Sequence, residues 1–241
     1  MPSMRVNISP MKIGEGKLFE IYLDSSIRIS CPPELIPSPG QYLLAHASAS
    51  DSPLAVPVFF RGSAPNGFRS APLLDSSWMP GECLNLRGPL GRGFSIPTFA
   101  RKVALIAFDE SAARLRGLIS IALKQAAEVV LVSNSAVVDV PESVEVQPLQ
   151  AMLDIYQWAD YAAFDVAREN LNQLREKFGG MDQAKSGAVS ASKGPRGAQV
   201  FVRAPMPCGT LAECGVCALT IRHKWKMICK EGPVFEMRDL Y

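Results

Sequence analysis

Four cysteines near the C-terminus carry the clearest chemistry in this chain. They are Cys208, Cys214, Cys217 and Cys229, spaced C-x5-C-x2-C-x11-C within MPCGTLAECGVCALTIRHKWKMICKEGPVF. Three thiolates on one glycine-bearing loop, with a fourth from a following turn, suit a [2Fe–2S] cluster, in which each iron takes two thiolates. A loop that wraps a cluster must bend sharply and turn its N–H groups toward the sulfurs. Gly209 and Gly215 supply the backbone freedom for that bend. The expected chemistry is one-electron transfer.

Other uses of the same residues compete with this one. A structural zinc site pairs two C-x2-C knuckles or combines Cys with His, and only one C-x2-C is present. Zinc is disfavoured but stays the alternative for the four-cysteine site. A Rieske centre needs two His ligands. The chain has only His46 and His223, and His223 reads as a solvated turn residue. Disulfides are disfavoured because nothing marks the chain as secreted. Cys31 and Cys83, far upstream in apolar surroundings, read as buried small hydrophobes.

The segments Met206-Pro-Cys-Gly209, Cys214-Gly-Val-Cys217 and Ile228-Cys-Lys-Glu-Gly-Pro-Val-Phe235 resemble the cluster segment of the electron-transfer subunit of class 1B dihydroorotate dehydrogenase. The resemblance implies a flavin-binding β-barrel, a pyridine-nucleotide domain and a [2Fe–2S] tail. The chain departs from the family spacing, with five residues rather than four between the first two cysteines and a short last gap. Pro39-Gly-Gln-Tyr42 and Gly88-Pro-Leu-Gly-Arg-Gly-Phe94 are similar to the barrel of ferredoxin-reductase-like proteins.

Composition permits such an architecture. The chain has 241 residues, 48% of them apolar, enough for two modest domains and a tail. A net charge of +2 gives no reason to expect nucleic acid as a partner. The first ten residues lack an apolar h-region, and no long apolar run suggests membrane insertion. The expectation is a cytoplasmic protein with reduced thiols.

The elements that position the cysteines follow from periodicity. Residues 1–98 read as an antiparallel β-barrel. The strands are Lys17–Leu23, Ile27–Cys31, Tyr42–His46, Leu54–Phe60 and Glu82–Arg87, separated by Pro/Gly turns. Residues 99–202 read as an α/β domain. Its strands are Lys102–Phe108, Glu128–Ser133, Val144–Val146, Tyr161–Val166 and Gln199–Arg203, its helices Ser111–Ala126 and Glu169–Phe178, with a long loop over 181–198. Residues 203–241 form the [2Fe–2S] segment. The expected class is α+β and multidomain: an antiparallel barrel, then a ferredoxin-reductase-like α/β domain and the cluster segment.

Both nucleotide motifs that the resemblance implies are altered. In the family, an Arg-Pro-x-Ser segment on a barrel strand holds the flavin. The matching stretch is Val56-Pro-Val-Phe59, so an apolar residue replaces the cation and a ring replaces the hydroxyl. FAD is therefore doubtful unless Arg61 or Arg87 takes over the diphosphate; Arg61 falls on the opposite face from Val56 on a regular strand. The first strand-to-helix turn of the α/β domain reads Ala107-Phe-Asp-Glu-Ser-Ala-Ala-Arg114, without glycine. Asp109 and Glu110 would meet the diphosphate at a cost of roughly 1 kcal/mol or more per like-charge pair at about 4 Å. Asp109 or Ser111 would also cap the helix. The family's Cys-Gly-Pro turn facing the nicotinamide corresponds to Asp165-Val-Ala-Arg168. Binding of NAD(P) is not expected.

The function expected is an iron–sulfur electron-transfer or accessory subunit beside a flavoprotein catalytic subunit in a hetero-oligomer. No catalytic residue is assigned. The alternatives are a complete FAD/[2Fe–2S] reductase with an unusual flavin site, and a non-redox interaction subunit with a four-cysteine zinc site. Arg222, His223, Lys224, Lys226 and Lys230 form a basic stretch that reads as a solvated turn, or else as a docking face for an acidic partner or a charge that raises the cluster potential. Trp225, four residues before Cys229, is placed to shield the cluster.

Overall fold

The computed structural model describes residues 11–48, 50, 52, 54–72, 78–109, 111–183, 194–222 and 224–240, with side chains in 179–183 excepted. Glu110, His223 and most of the expected 181–198 loop lie outside the described residues.

Six strands close the barrel in the order β1-β2-β5-β4-β3-β6. They are β1 (Lys12–Ile21), β2 (Ile27–Ser30), β3 (Tyr42–Ala47), β4 (Val56–Ala64), β5 (Gly67–Ser70) and β6 (Cys83–Leu90). Leu18, Ile29, Leu43, Val58, Phe68 and Leu86 fill the interior. Strand β1 starts earlier than the sequence suggests because Gly14 and Gly16 hide its alternation. Gly16 is required there: a Cβ would lie 2.5 Å from Leu86 Cδ1 and 2.9 Å from the Ser30 carbonyl. Trp78 belongs to the barrel core, whereas Cys83 is exposed rather than buried and Cys31 is half-buried.

The second sheet has six strands in the order β14-β11-β10-β7-β8-β9, with β14 (Val234–Glu236) at its edge. Its parallel members are β7 (Lys102–Ala107), β8 (Glu128–Val132), β9 (Val144–Gln147), β10 (Tyr161–Ala167) and β11 (Gly197–Arg203). Alternate residues of β7 face opposite layers. Ala104 and Ile106 pack on one side with Tyr156, Phe164 and Phe178; Val103 and Leu105 pack on the other with Leu115, Leu118 and Ile119. Helix α1 (Arg116–Lys124) covers the second face; α2 (Met152–Trp158) and α3 (Leu171–Gln183) cover the first. Helices on both faces are what a parallel sheet requires. Ser111 caps the short 3-10 turn Ala112–Arg114, its hydroxyl accepting from the Ala113 N–H at 3.2 Å.

The C-terminal segment folds back onto this sheet. A hairpin of β12 (Ala218–Ile221) and β13 (Lys224–Met227) leads into the single-turn helix α4 (Ile228–Glu231). Strand β14 (Val234–Glu236) then pairs antiparallel with β11 at the sheet edge. Cys217, Ile228 and Cys229 thereby join the same apolar core as Tyr42, Ile106 and Phe164. No helix among the described residues is long and apolar enough to cross a membrane.

Candidate functional site

The loop leaving β11 turns repeatedly. Gly209, Thr210, Ala212 and Gly215 all have left-handed backbone, with φ of 58°, 69°, 62° and 69°. Thr210 and Ala212 pay a steric cost for this that only a demanding loop geometry justifies. The result gathers the four cysteines as two pairs. Cys217 and Cys229 are buried, with sulfurs 3.2 Å apart. Cys208 is half-buried and Cys214 exposed, and the Cys214 thiol favours the Cys208 thiolate. The backbone N–H of Ala212 favours the thiolate at both Cys208 and Cys229.

The thiols respond to these surroundings. Burial pushes Cys208 up, but the Cys214 thiol and the N–H groups of Cys214, Ala212 and Glu213 outweigh it and bring it down to about 7. Burial, then the neighbouring Cys217 and Cys208, push Cys229 up to about 12. Among the described residues no three His, Cys, Asp or Glu side chains meet closely enough for one mononuclear ion. Two pairs of sulfurs match what a dinuclear cluster asks, two thiolates for each iron.

The segment is held by groups from both domains. Tyr42 on β3, fully buried, donates its hydroxyl to the Cys229 carbonyl at 2.9 Å. Arg87 on β6 donates to the Gly209 carbonyl at 2.6 Å. Arg168 donates to the Val216 carbonyl, and Arg175 to those of Leu240 (2.6 Å) and Thr220 (3.3 Å). Trp225 is 71% exposed on β13 and does not cover the buried pair. Of the basic stretch, Arg222 pairs with Asp239 at 2.8 Å and Lys226 pairs with Glu231.

A cleft of about 570 Å³ lies between the barrel and the carboxyl ends of β10 and β11. Val56, Pro57 and Phe59 form part of its barrel wall; Arg114, Ala167 and Arg203 line the opposite side. The carboxyl ends of a parallel sheet are where α/β folds bind nucleotides. Phe59 is fixed there, its ring 5.2 Å from both Tyr42 and Phe201.

Neither arginine expected to replace the flavin cation faces this cleft. Arg61 is buried and ion-paired to Asp24, which also takes Arg69 at 3.3 Å. Arg87 is committed to the cluster loop. The phosphate turn is occupied by the protein itself. Asp109 accepts from the Ala167 N–H at 2.7 Å and the Asn170 amide at 2.8 Å, and it pairs with Arg203. Arg203 also donates through Nε to Asp165 at 2.7 Å, and Arg114 approaches Asp165 at 3.5 Å. Asp109 thus ties the loop after β7 to those after β10 and β11 instead of capping the helix, a role taken by Ser111. Sequence reasoning missed Arg203, Arg114 and Tyr42 as parts of the site, although Tyr42 closes the Pro39–Tyr42 motif and Arg114 the Ala107–Arg114 turn.

Comparison with known proteins agrees with this architecture. Residues 204–241 match the family described as the iron–sulfur cluster binding domain of dihydroorotate dehydrogenase B. No curated protein matches the chain by sequence. Among solved structures, the NADH-dependent reduced ferredoxin–NADP oxidoreductase reported in connection with flavin-based electron bifurcation is similar at 16% identity. The match covers 94% of this chain and 89% of that one, with a TM-score of 0.65. The ferredoxin reductase of carbazole 1,9a-dioxygenase is also similar, at 16% identity, 71% and 66% coverage and a TM-score of 0.56. A ferredoxin NADP+ reductase from Neisseria gonorrhoeae, solved with FAD and NADP, is 12% identical over 80% and 98% of the two chains, with a TM-score of 0.53. The fold is ferredoxin-reductase-like, and its C-terminal segment matches an iron–sulfur cluster binding domain.

Proposed function

We propose that this chain, whose C-terminal segment matches the iron–sulfur domain of dihydroorotate dehydrogenase B, is an electron-transfer subunit that works beside a flavoprotein oxidoreductase. The observation that carries the reading is the polarity of the cysteine pairs. One pair is buried against Tyr42, whose ring touches the cleft wall at Phe59; the other is half-buried to exposed. Cys217 and Cys229 would hold the inner iron of a [2Fe–2S] cluster, Cys208 and Cys214 the outer one. The cluster, when bound, accepts and releases single electrons. The protein's part is to bury the inner thiolates, present the outer ones at the surface, and turn loop amides toward the sulfurs.

Binding of NAD(P)H is not part of this reading. Asp109 holds the position of the phosphate through contacts that a nucleotide would have to displace. FAD is expected to be substoichiometric, because Val56 and Phe59 offer its diphosphate no cation and its ring no hydroxyl. Each such charge-assisted contact is worth roughly 1.5–3 kcal/mol. A chain with a cluster and no flavin cannot divide a hydride pair into single electrons, so the flavin belongs to the partner. The persistence of the cleft favours one second reading, a complete reductase that keeps FAD by other contacts.

Two outcomes distinguish them. Addition of NADH or NADPH to the anaerobic chain alone should leave its visible spectrum unbleached, and denaturation should release little FAD. Bleaching by either nucleotide, with stoichiometric FAD released, would place the chain among complete reductases. Calorimetric titration with NADH should likewise give no heat of binding; micromolar affinity would contradict the role given to Asp109.

A further inference from the structure

Two of the basic residues around the fourth cysteine, Arg222 and Lys226, are already paired with Asp239 and Glu231. A different cation reaches the loop from the barrel. Arg87 leaves the outer face of β6, between the inward-facing Leu86 and the buried Gly88. Its guanidinium donates at 2.6 Å to the carbonyl of Gly209, the residue after Cys208. The approach is close enough that a Cβ on Gly209 would lie 3.9 Å from Arg87 Nη2. That acceptor is a neutral carbonyl, and among the described residues no carboxylate pairs with Arg87. The half-buried guanidinium is therefore held as a cation against the backbone next to Cys208, partly shielded from solvent.

A four-thiolate [2Fe–2S] centre is anionic, and reduction adds a further negative charge. A fixed cation nearby stabilises the reduced form more than the oxidised one, and the effect grows where water is partly excluded. Arginine suits this role because it stays protonated across the working pH range. We propose that Arg87 is a positioning residue that raises the reduction potential of the cluster, a tuning charge supplied by the barrel. This rests on the reading of the four cysteines as a cluster site.

The test uses the full chain, purified anaerobically with its cluster, and redox titration followed by electron paramagnetic resonance. Arg87→Met removes charge and hydrogen bond together; Arg87→Gln keeps a donor for the Gly209 carbonyl; Arg87→Lys keeps the charge. Both neutral variants are expected to shift the reduction equilibrium about tenfold toward the oxidised form, about 59 mV for a one-electron couple. Arg87→Lys should stay near the wild-type potential. Neutral variants that hold the cluster at the wild-type potential would overturn the proposal. So would loss of the cluster from both neutral variants with its retention in Arg87→Lys, which would make the role structural. A wild-type chain without a cluster signal would defeat the reading of the cysteines itself.

Discussion

Cys217→Ser is expected to abolish the visible absorption of the anaerobically purified protein, with cluster content falling to near zero. Cys217 is fully buried, its sulfur is 3.2 Å from that of Cys229, and its carbonyl accepts the Ile228 N–H at 3.1 Å. Its side chain and backbone thus join the loop to the start of α4. A serine oxygen is a harder and shorter ligand than a thiolate, and no other described thiol stands ready at that buried position. The same substitution at exposed Cys214 should be milder, leaving a labile chromophore. Iron and sulfide analysis of the two variants checks both statements. Unchanged absorption in Cys217→Ser would remove it from the ligand set.

Asp165→Ala is expected to be the most destabilising single change outside the cysteines. Asp165 is 1% exposed on the central strand β10, paired with Arg203 and approached by Arg114. Removing it takes the counter-charge from Arg114 and leaves Arg203 paired with Asp109; losing one partner of a buried ion pair costs up to about 3–5 kcal/mol. For a chain of this size that corresponds to a loss of roughly 10 °C in Tm. Thermal unfolding of the anaerobic protein measures it. The double variant Asp165→Ala, Arg203→Met should lose less than the sum of the two single changes, because the contact between the two residues is then lost only once. A Tm within a degree or two of wild type would mean that the network is not needed for the fold.

The parts of this molecule that were legible in sequence are those set by local chemistry. The four-cysteine segment stands out by its spacing within one loop, and the folded chain brings Cys217 and Cys229 together. The apolar runs of β7, β8 and β10 were legible because a doubly covered strand tolerates few polar residues. Helix α2 was missed: Met152–Trp158 is short, mixes apolar with polar residues and follows Pro148. Strand β5, Gly67-Phe-Arg-Ser70, is too short to show alternation. Ser111, not Asp109, caps the first helical turn, since the Asp109 carboxylate is drawn away by Ala167, Asn170 and Arg203. Contacts such as Tyr42 to Cys229 and Arg87 to Gly209 join residues 187 and 122 positions apart. Their partners are chosen by the docking of barrel, sheet and tail, which no local pattern encodes. For that reason Arg87 was matched in sequence to a flavin phosphate, although the folded chain brings it to the cluster loop.

The ultraviolet–visible spectrum of the wild-type chain purified without oxygen decides whether the four cysteines hold a cluster. The expected result is the broad visible bands of a [2Fe–2S] chromophore, bleached by dithionite, with little flavin absorption once the protein is denatured. A colourless protein carrying stoichiometric zinc would overturn the cluster assignment.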